Sequence, residues 1–359
     1  MKNKTLSWWN TKIDSIDFSN LKKAFFNKKF SMGSETIKLE KKLCKIHKAK
    51  YCIVTTSGTS ALLLSILSLN LKKDDEIILP AHTWIATAQS STITGNKIKL
   101  IDSKVNNPTL DENKIKKIIN RKTKVIIPVH FHGHACKMDK ILKIAKEKNL
   151  TIIEDACKAM HTKYNNKYLG TWGDIGCFSM GMISLISSGY GGFILTNKKS
   201  IYEKLLILRD HGMTRKFKDK YLFNSLNFKY SDLLSSIALS QVNKIAIKEK
   251  KLKQIYQLYK KGIKNLNKTQ ILENKSKSPL CIDLVTKNRN QLKKFLHSRN
   301  IEISDFHPDL TNAYYLNTAK NLKNSNYFST HGFMPPCGPN QKINYVKKTI
   351  AAIREYDQL

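Results

Sequence analysis

The chain is expected to fold as an α/β protein: a mostly parallel central sheet with helices on both faces, plus a smaller C-terminal α/β domain. Three observations point there. Short apolar runs alternate with helix-period patterns through the first two thirds of the chain, small and hydroxyl residues gather just past the ends of several runs, and the pattern resets beyond residue 278. Such alternation builds βα units whose crossovers cover both faces of a parallel sheet. Ligands of such sheets bind at the carboxyl ends of the strands.

The strand candidates are residues 51–55, 76–80, 98–102, 125–129, 151–155 and 192–196, apolar runs of strand length. Between the fourth and fifth runs, residues 138–148 place Ile141, Leu142 and Ala145 on one helical face. Residues 200–277 read as helical and lysine-rich, with one long helix over 231–258. Beyond them come a strand at 280–285, a helix at 289–299, a Pro/Gly-rich loop at 335–339 and a last helix from Gln341. The reading therefore divides the chain into a large domain over 1–240, N-terminal segment included, and a small domain over 241–359, joined by the long helix.

With 359 residues, 41% of them hydrophobic, the chain can bury a sizeable core. Residues 1–10 carry charge without an apolar stretch of signal-peptide length, and no later run approaches the ~20 apolar residues of a membrane span. The expectation is a cytoplasmic protein without a membrane partner. Seven scattered cysteines lack CxxC spacing, which suits reduced thiols. The formal charge of +36 suggests a polyanion partner, yet only six of the 63 basic residues are Arg. Nucleic-acid readers favour Arg for its bidentate fork, so the expected ligands are small anions such as sugar nucleotides, not nucleic acid.

Three features at strand ends carry chemistry. After residues 51–55 comes Thr56-Ser57-Gly58-Thr59-Ser60-Ala61 and then an apolar helix; small residues at a helix N-terminus can close around a phosphate, or simply cap the helix. Trp84 follows residues 76–80, placed to stack on an aromatic ring or to fill a core. Asp155 ends a buried run, where a carboxylate needs a partner. A phosphate cup, a stacking ring and a carboxylate for a pyridinium nitrogen together suit pyridoxal phosphate. His130, His132 and His134 alternate along a strand end as metal ligands sometimes do, but the expected metal content is none.

On these residues, with Gly173-Asp174-Ile175-Gly176-Cys177-Phe178-Ser179, Gly191-Gly192, Arg209-Asp210-His211-Gly212 and Asn227-Phe228-Lys229-Tyr230-Ser231-Asp232-Leu233, the chain resembles the DegT/DnrJ/EryC1/StrS sugar aminotransferases of the fold-type I pyridoxal phosphate enzymes. The likeness runs through nearly the whole length. It implies that Gly58, Thr59 and Ser60 hold the cofactor phosphate with help from Ser179. It further implies that Trp84 stacks on the ring, that Asp155 pairs with its nitrogen, and that Asn227 reaches the phosphate of a partner subunit in a homodimer. Glutamate and a keto-sugar nucleotide are the implied substrates, in nucleotide-sugar or surface-polysaccharide biosynthesis.

One position breaks the pattern. The family's Schiff-base lysine stands five residues after the serine matching Ser179, and here that place is Ser184. A hydroxyl neither holds the aldehyde nor shuttles a proton as the lysine does. The cofactor, pyridoxal or pyridoxamine phosphate, is thus expected to be bound noncovalently. Lys158 stands where the family has Gln or His, and is a candidate substitute amine; Tyr190 replaces the acidic residue usual before the glycine pair. Two further functions follow from the loss: a lysine-free keto-sugar dehydratase, whose known relative has His at this place, and an inactive paralogue acting as a sensor or as partner to a lysine-bearing chain.

Overall fold

Seven strands make the central sheet: β1 (Tyr51–Thr55), β2 (Glu76–Pro80), β3 (Lys97–Ile101), β4 (Thr123–Ile126), β5 (Thr151–Asp155), β6 (Ile175–Ser179) and β7 (Gly192–Thr196). Their spatial order is β1-β7-β6-β5-β4-β2-β3. Only β7 runs against its neighbours, pairing antiparallel with β1 and β6, and the remaining pairs are parallel. The computed structural model describes residues 5–214, 220–276, 279–316 and 322–359.

The buried runs became strands because Ile, Val and Leu fill both faces of a covered sheet. Ile53, Ile77, Ile78, Ile126, Ile153 and Phe193 are all essentially inaccessible. Helices α1 (Ser15–Phe26), α2 (Ser34–His47), α3 (Gly58–Leu67) and α4 (Ile85–Thr92) belong to the first part of the chain, followed by α5 (Met138–Lys148) and α6 (Lys199–Arg209). Helix α5 matches the expected bounds, and its Ile141, Ile144 and Ala145 are buried.

Several expectations require correction. β4 stops at Ile126, three residues early, so residues 127–134 lose strand alternation; Phe131–Gly133 make a 3₁₀ turn with His132 at φ +47°. β6 was not foreseen, since Gly176, Cys177 and Ser179 give its sequence little strand character. The expected helix over 231–258 is two helices, α7 (Asp232–Val242) and α8 (Ile245–Gly262). α7 packs on α1 and α2, whereas α8 packs on the last helix, α11 (Ile343–Gln358). Two partners in different directions require a break, and Asn243–Lys244 supplies it.

A second, antiparallel sheet is formed by β8 (Thr269–Ile271), β9 (Leu284–Thr286), β10 (Ser304–Asp305) and β11 (Gly332–Met334), in the order β8-β9-β11-β10. It packs with α9 (Arg289–Ser298) and α10 (Lys323–His331). The strand expected at 280–285 is only 284–286. Residues at the N-terminal end join this region: Leu6 bridges Ile301 and Trp9 bridges Cys337. Among the described residues no helix is long and apolar enough to cross a membrane.

Candidate active site

The carboxyl ends of β1, β2, β5 and β6 bring the candidate residues to one edge of the sheet. α3 begins directly after β1. Ser57 is its N-cap, with Oγ accepting from the Ser60 N–H at 3.0 Å and lying 2.9 Å from Ser60 Oγ. The capping role therefore falls to Ser57. The first-turn N–H groups of Gly58 and Thr59 have no acceptor inside the helix, and the helix dipole favours an anion there.

Gly58 sits at a convergence. A Cβ placed on it would lie 2.9 Å from Cys157 Sγ and 3.0 Å from Ser179 Cβ, so the starts of α3 and of the loops after β5 and β6 meet around a hydrogen-sized gap. The glycine pair serves the same closure. A Cβ on Gly192 would meet the Ser57 carbonyl oxygen at 2.3 Å, and Gly191 has φ +124°, which L side chains rarely adopt. Ser179 Oγ accepts from the Gly181 N–H at 3.2 Å.

Asp155 is buried, with 6% of its surface accessible. One carboxylate oxygen accepts from the Thr87 hydroxyl at 2.8 Å and the other from the Cys157 N–H at 3.1 Å. Both donors are neutral, which leaves the charge available to a cationic N–H. Thr87 went unrecognised in the sequence; the available signal is its position one helical turn beyond Trp84 and Thr83, whose hydroxyl lies 3.2 Å from its own. Trp84 precedes the first turn of α4 and stays 58% exposed, its ring meeting His307 edge-on with centroids 4.7 Å apart. An open indole face at a strand end is suited to stacking on a ligand ring.

The three loop histidines are claimed by carboxylates. His130 Nε2 lies 2.9 Å from Glu154, while His132 Nδ1 and His134 Nε2 lie 2.7 and 2.9 Å from the two oxygens of Asp283. Burial raises the Asp283 pKa, but the two imidazoles outweigh it and hold the carboxyl at about 2. Asp283, just before β9, thereby ties the second sheet to the loop after β4. Among the described residues no three His, Cys, Asp or Glu side chains are arranged to hold a metal ion. Burial and then the neighbouring His132 depress His307 to about 3, so this imidazole beside Trp84 is neutral at ordinary pH.

The segment around Ser184 is pinned through its backbone. The Met182 carbonyl accepts from Trp9 Nε1 at 3.0 Å and Thr11 Oγ1 at 2.7 Å. The Ile183 carbonyl accepts from Lys158 Nζ, and the Leu185 carbonyl from Lys248 Nζ, each at 2.7 Å. Ser184 itself is 1% exposed, and its Oγ has no hydrogen-bond partner among the described residues. Burial lowers the pKa of Lys158, and it lowers that of Lys248 to about 8. Two lysine amines thus bracket the serine, neither of them on its own strand end.

Tyr190 leaves its ring exposed, while its carbonyl accepts from the Tyr230 and Ser188 hydroxyls. Asn227 is also exposed; its backbone pairs with Asp210, and its side chain accepts from the Lys229 N–H at 3.2 Å.

Residues 11–354 match the model of the DegT/DnrJ/EryC1/StrS aminotransferase family. The chain is 32% identical over 236 residues to the GDP-perosamine synthase of Escherichia coli O157:H7, covering 66% of this chain and 65% of that protein. Alignments with such curated relatives thus span slightly under two thirds of their length. Among solved structures, the chain superposes on Helicobacter pylori PseC, an aminotransferase involved in the biosynthesis of pseudoaminic acid, with TM-score 0.94 and 24% identity over 99% of this chain and 100% of that one. It also superposes on E. coli GDP-4-keto-6-deoxy-D-mannose-3-dehydratase with bound hydrated PLP, with TM-score 0.92 and 24% identity over 98% and 100%. At that identity the likeness establishes the fold.

Proposed function

The chain belongs to the DegT/DnrJ/EryC1/StrS aminotransferase family, and from that premise we propose that it binds pyridoxal or pyridoxamine phosphate and acts on a keto-sugar nucleotide in nucleotide-sugar or surface-polysaccharide biosynthesis. The observation that carries the cofactor reading is Asp155, a buried carboxylate with only neutral donors, set beside a cradle that a single Cβ on Gly58 would obstruct. When bound, the cofactor supplies an electron sink for amino transfer.

The remaining work falls to this chain's residues. Gly58 and Thr59 offer backbone N–H groups to the phosphate, and Ser60 and Ser179 add hydroxyls. Trp84 covers one ring face. Asp155, oriented by Thr87, holds the proton on the ring nitrogen. Asn227, exposed on its loop, reaches toward a second subunit's phosphate in a homodimer. Ser184 supplies neither an amine nor a base, so the customary amino transfer through that position does not operate. The alternative is a keto-sugar dehydratase, whose chemistry does not require an amine at this position.

The test is to add pyridoxal phosphate to the purified chain, desalt it, and then add glutamate while recording the absorbance spectrum and 2-oxoglutarate release. Retained cofactor that Asp155→Asn abolishes is expected, with slow glutamate turnover. Cofactor lost on desalting from both proteins contradicts the reading. Products from a keto-sugar nucleotide then separate amination from deoxygenation.

A further inference from the structure

We infer that Lys158 is the amine of this site and that its Nζ, not a side chain at position 184, bonds the cofactor's aldehyde carbon. The inference rests on the proposed cofactor reading and concerns where the covalent function of the family went. Lys158 lies three residues past Asp155, and its Nζ reaches the carbonyl of Ile183, the peptide just before Ser184. Its electrostatic neighbours include Asp155, Cys157 and His307, groups at or next to the strand-end site.

Lys248 is the only other lysine amine bonded to the 182–185 segment among the described residues, and its surroundings disqualify it. Its Nζ is held by two acceptors, the Leu185 carbonyl and Gln241 Oε1. Its charged neighbours are Asp14, Asp17, Lys12 and Lys244, around the N-terminal segment and helix α1. The side chain is 1% exposed. Lys158, partly exposed and held by one acceptor, can be released by giving up a single bond.

Burial also favours the reactive form, since desolvation depresses the Lys158 ammonium and a lysine must be neutral to attack a carbonyl. The neutral amine adds to the aldehyde carbon and a carbon–nitrogen double bond forms. The carbon–oxygen bond breaks, and the oxygen leaves as water with the two amine hydrogens. No oxidant or reductant is required.

The experiment mixes the full chain with equimolar pyridoxal phosphate, reduces it with borohydride and maps the modified lysine by peptide mass spectrometry, with the visible spectrum recorded before reduction. The expected label lies on Lys158 at about one per chain. Lys158→Arg should remove the label and the visible band while retaining pyridoxamine phosphate binding, and Lys248→Met should leave the label in place. Label on Lys248, or label scattered over surface lysines while cofactor survives desalting, overturns the inference and leaves the cofactor reading standing. A visible band unchanged in Lys158→Arg also overturns it. Absence of any retained cofactor removes both.

Discussion

Lys158 Nζ donates a 2.7 Å hydrogen bond to the carbonyl of Ile183, placing an amine against the peptide that precedes Ser184. Ser184 therefore has a lysine amine beside it. Its own hydroxyl, buried and unpartnered among the described residues, contributes nothing visible to the fold.

That isolation makes Ser184→Ala informative. Removing a desolvated hydroxyl without a partner should leave stability unchanged or raise it by up to about 1 kcal/mol. Thermal unfolding of the ligand-free protein checks this. Pyridoxamine phosphate affinity should stay within about twofold, a free-energy change well below the ~1.4 kcal/mol of a tenfold effect. A clear drop in affinity would assign the hydroxyl to the ligand.

Gly58→Ala should crowd the cradle, because the new methyl meets Cys157 Sγ at 2.9 Å and Ser179 Cβ at 3.0 Å. Overpacking of this kind costs about 1–3 kcal/mol. Adding Cys157→Ala removes one of the two clashing groups and should recover part of the loss. A double-mutant cycle in urea measures the coupling, and purely additive effects would place the two groups apart.

Lys248 gives a pH dependence with a definite sign. Burial lowers its pKa from 10.5 to about 8, so folding disfavours the charged form. The cost is fully present below about pH 8 and is relieved as pH rises toward 10.5, where the unfolded chain also loses the proton. The stability of the natural chain relative to Lys248→Met should therefore rise across that window in urea titrations. A flat difference would mean that the two acceptors cancel the effect of burial.

Much of this site was legible because its parts sit where apolar strands end. Gly58 and Trp84 follow β1 and β2, and Asp155 ends β5, strands whose bounds the apolar runs reproduce. What stayed hidden depends on packing between distant segments. Thr87 reaches Asp155 only because α4 lies beside the end of β5. Asp283 meets His132 and His134 across about 150 residues of sequence separation, which no local pattern encodes. The break at Asn243 reflects two helices burying their faces on different partners, a tertiary choice that overrides helix periodicity. Nothing in the local sequence distinguishes Lys248 from the chain's other lysines, and only the fold encloses it.

The most direct test of the account is a titration of pyridoxamine phosphate into the natural chain and into Asp155→Asn, followed by quenching of Trp fluorescence. This ligand carries no aldehyde and so ignores the many surface lysines, reporting the cradle alone. Saturable binding at one site per chain, weakened tenfold or more by Asp155→Asn, corresponds to at least ~1.4 kcal/mol from the carboxylate and is the expected result. No saturable binding, or equal affinity in the two proteins, would contradict the claim that Asp155 and the Gly58 cradle form a cofactor site.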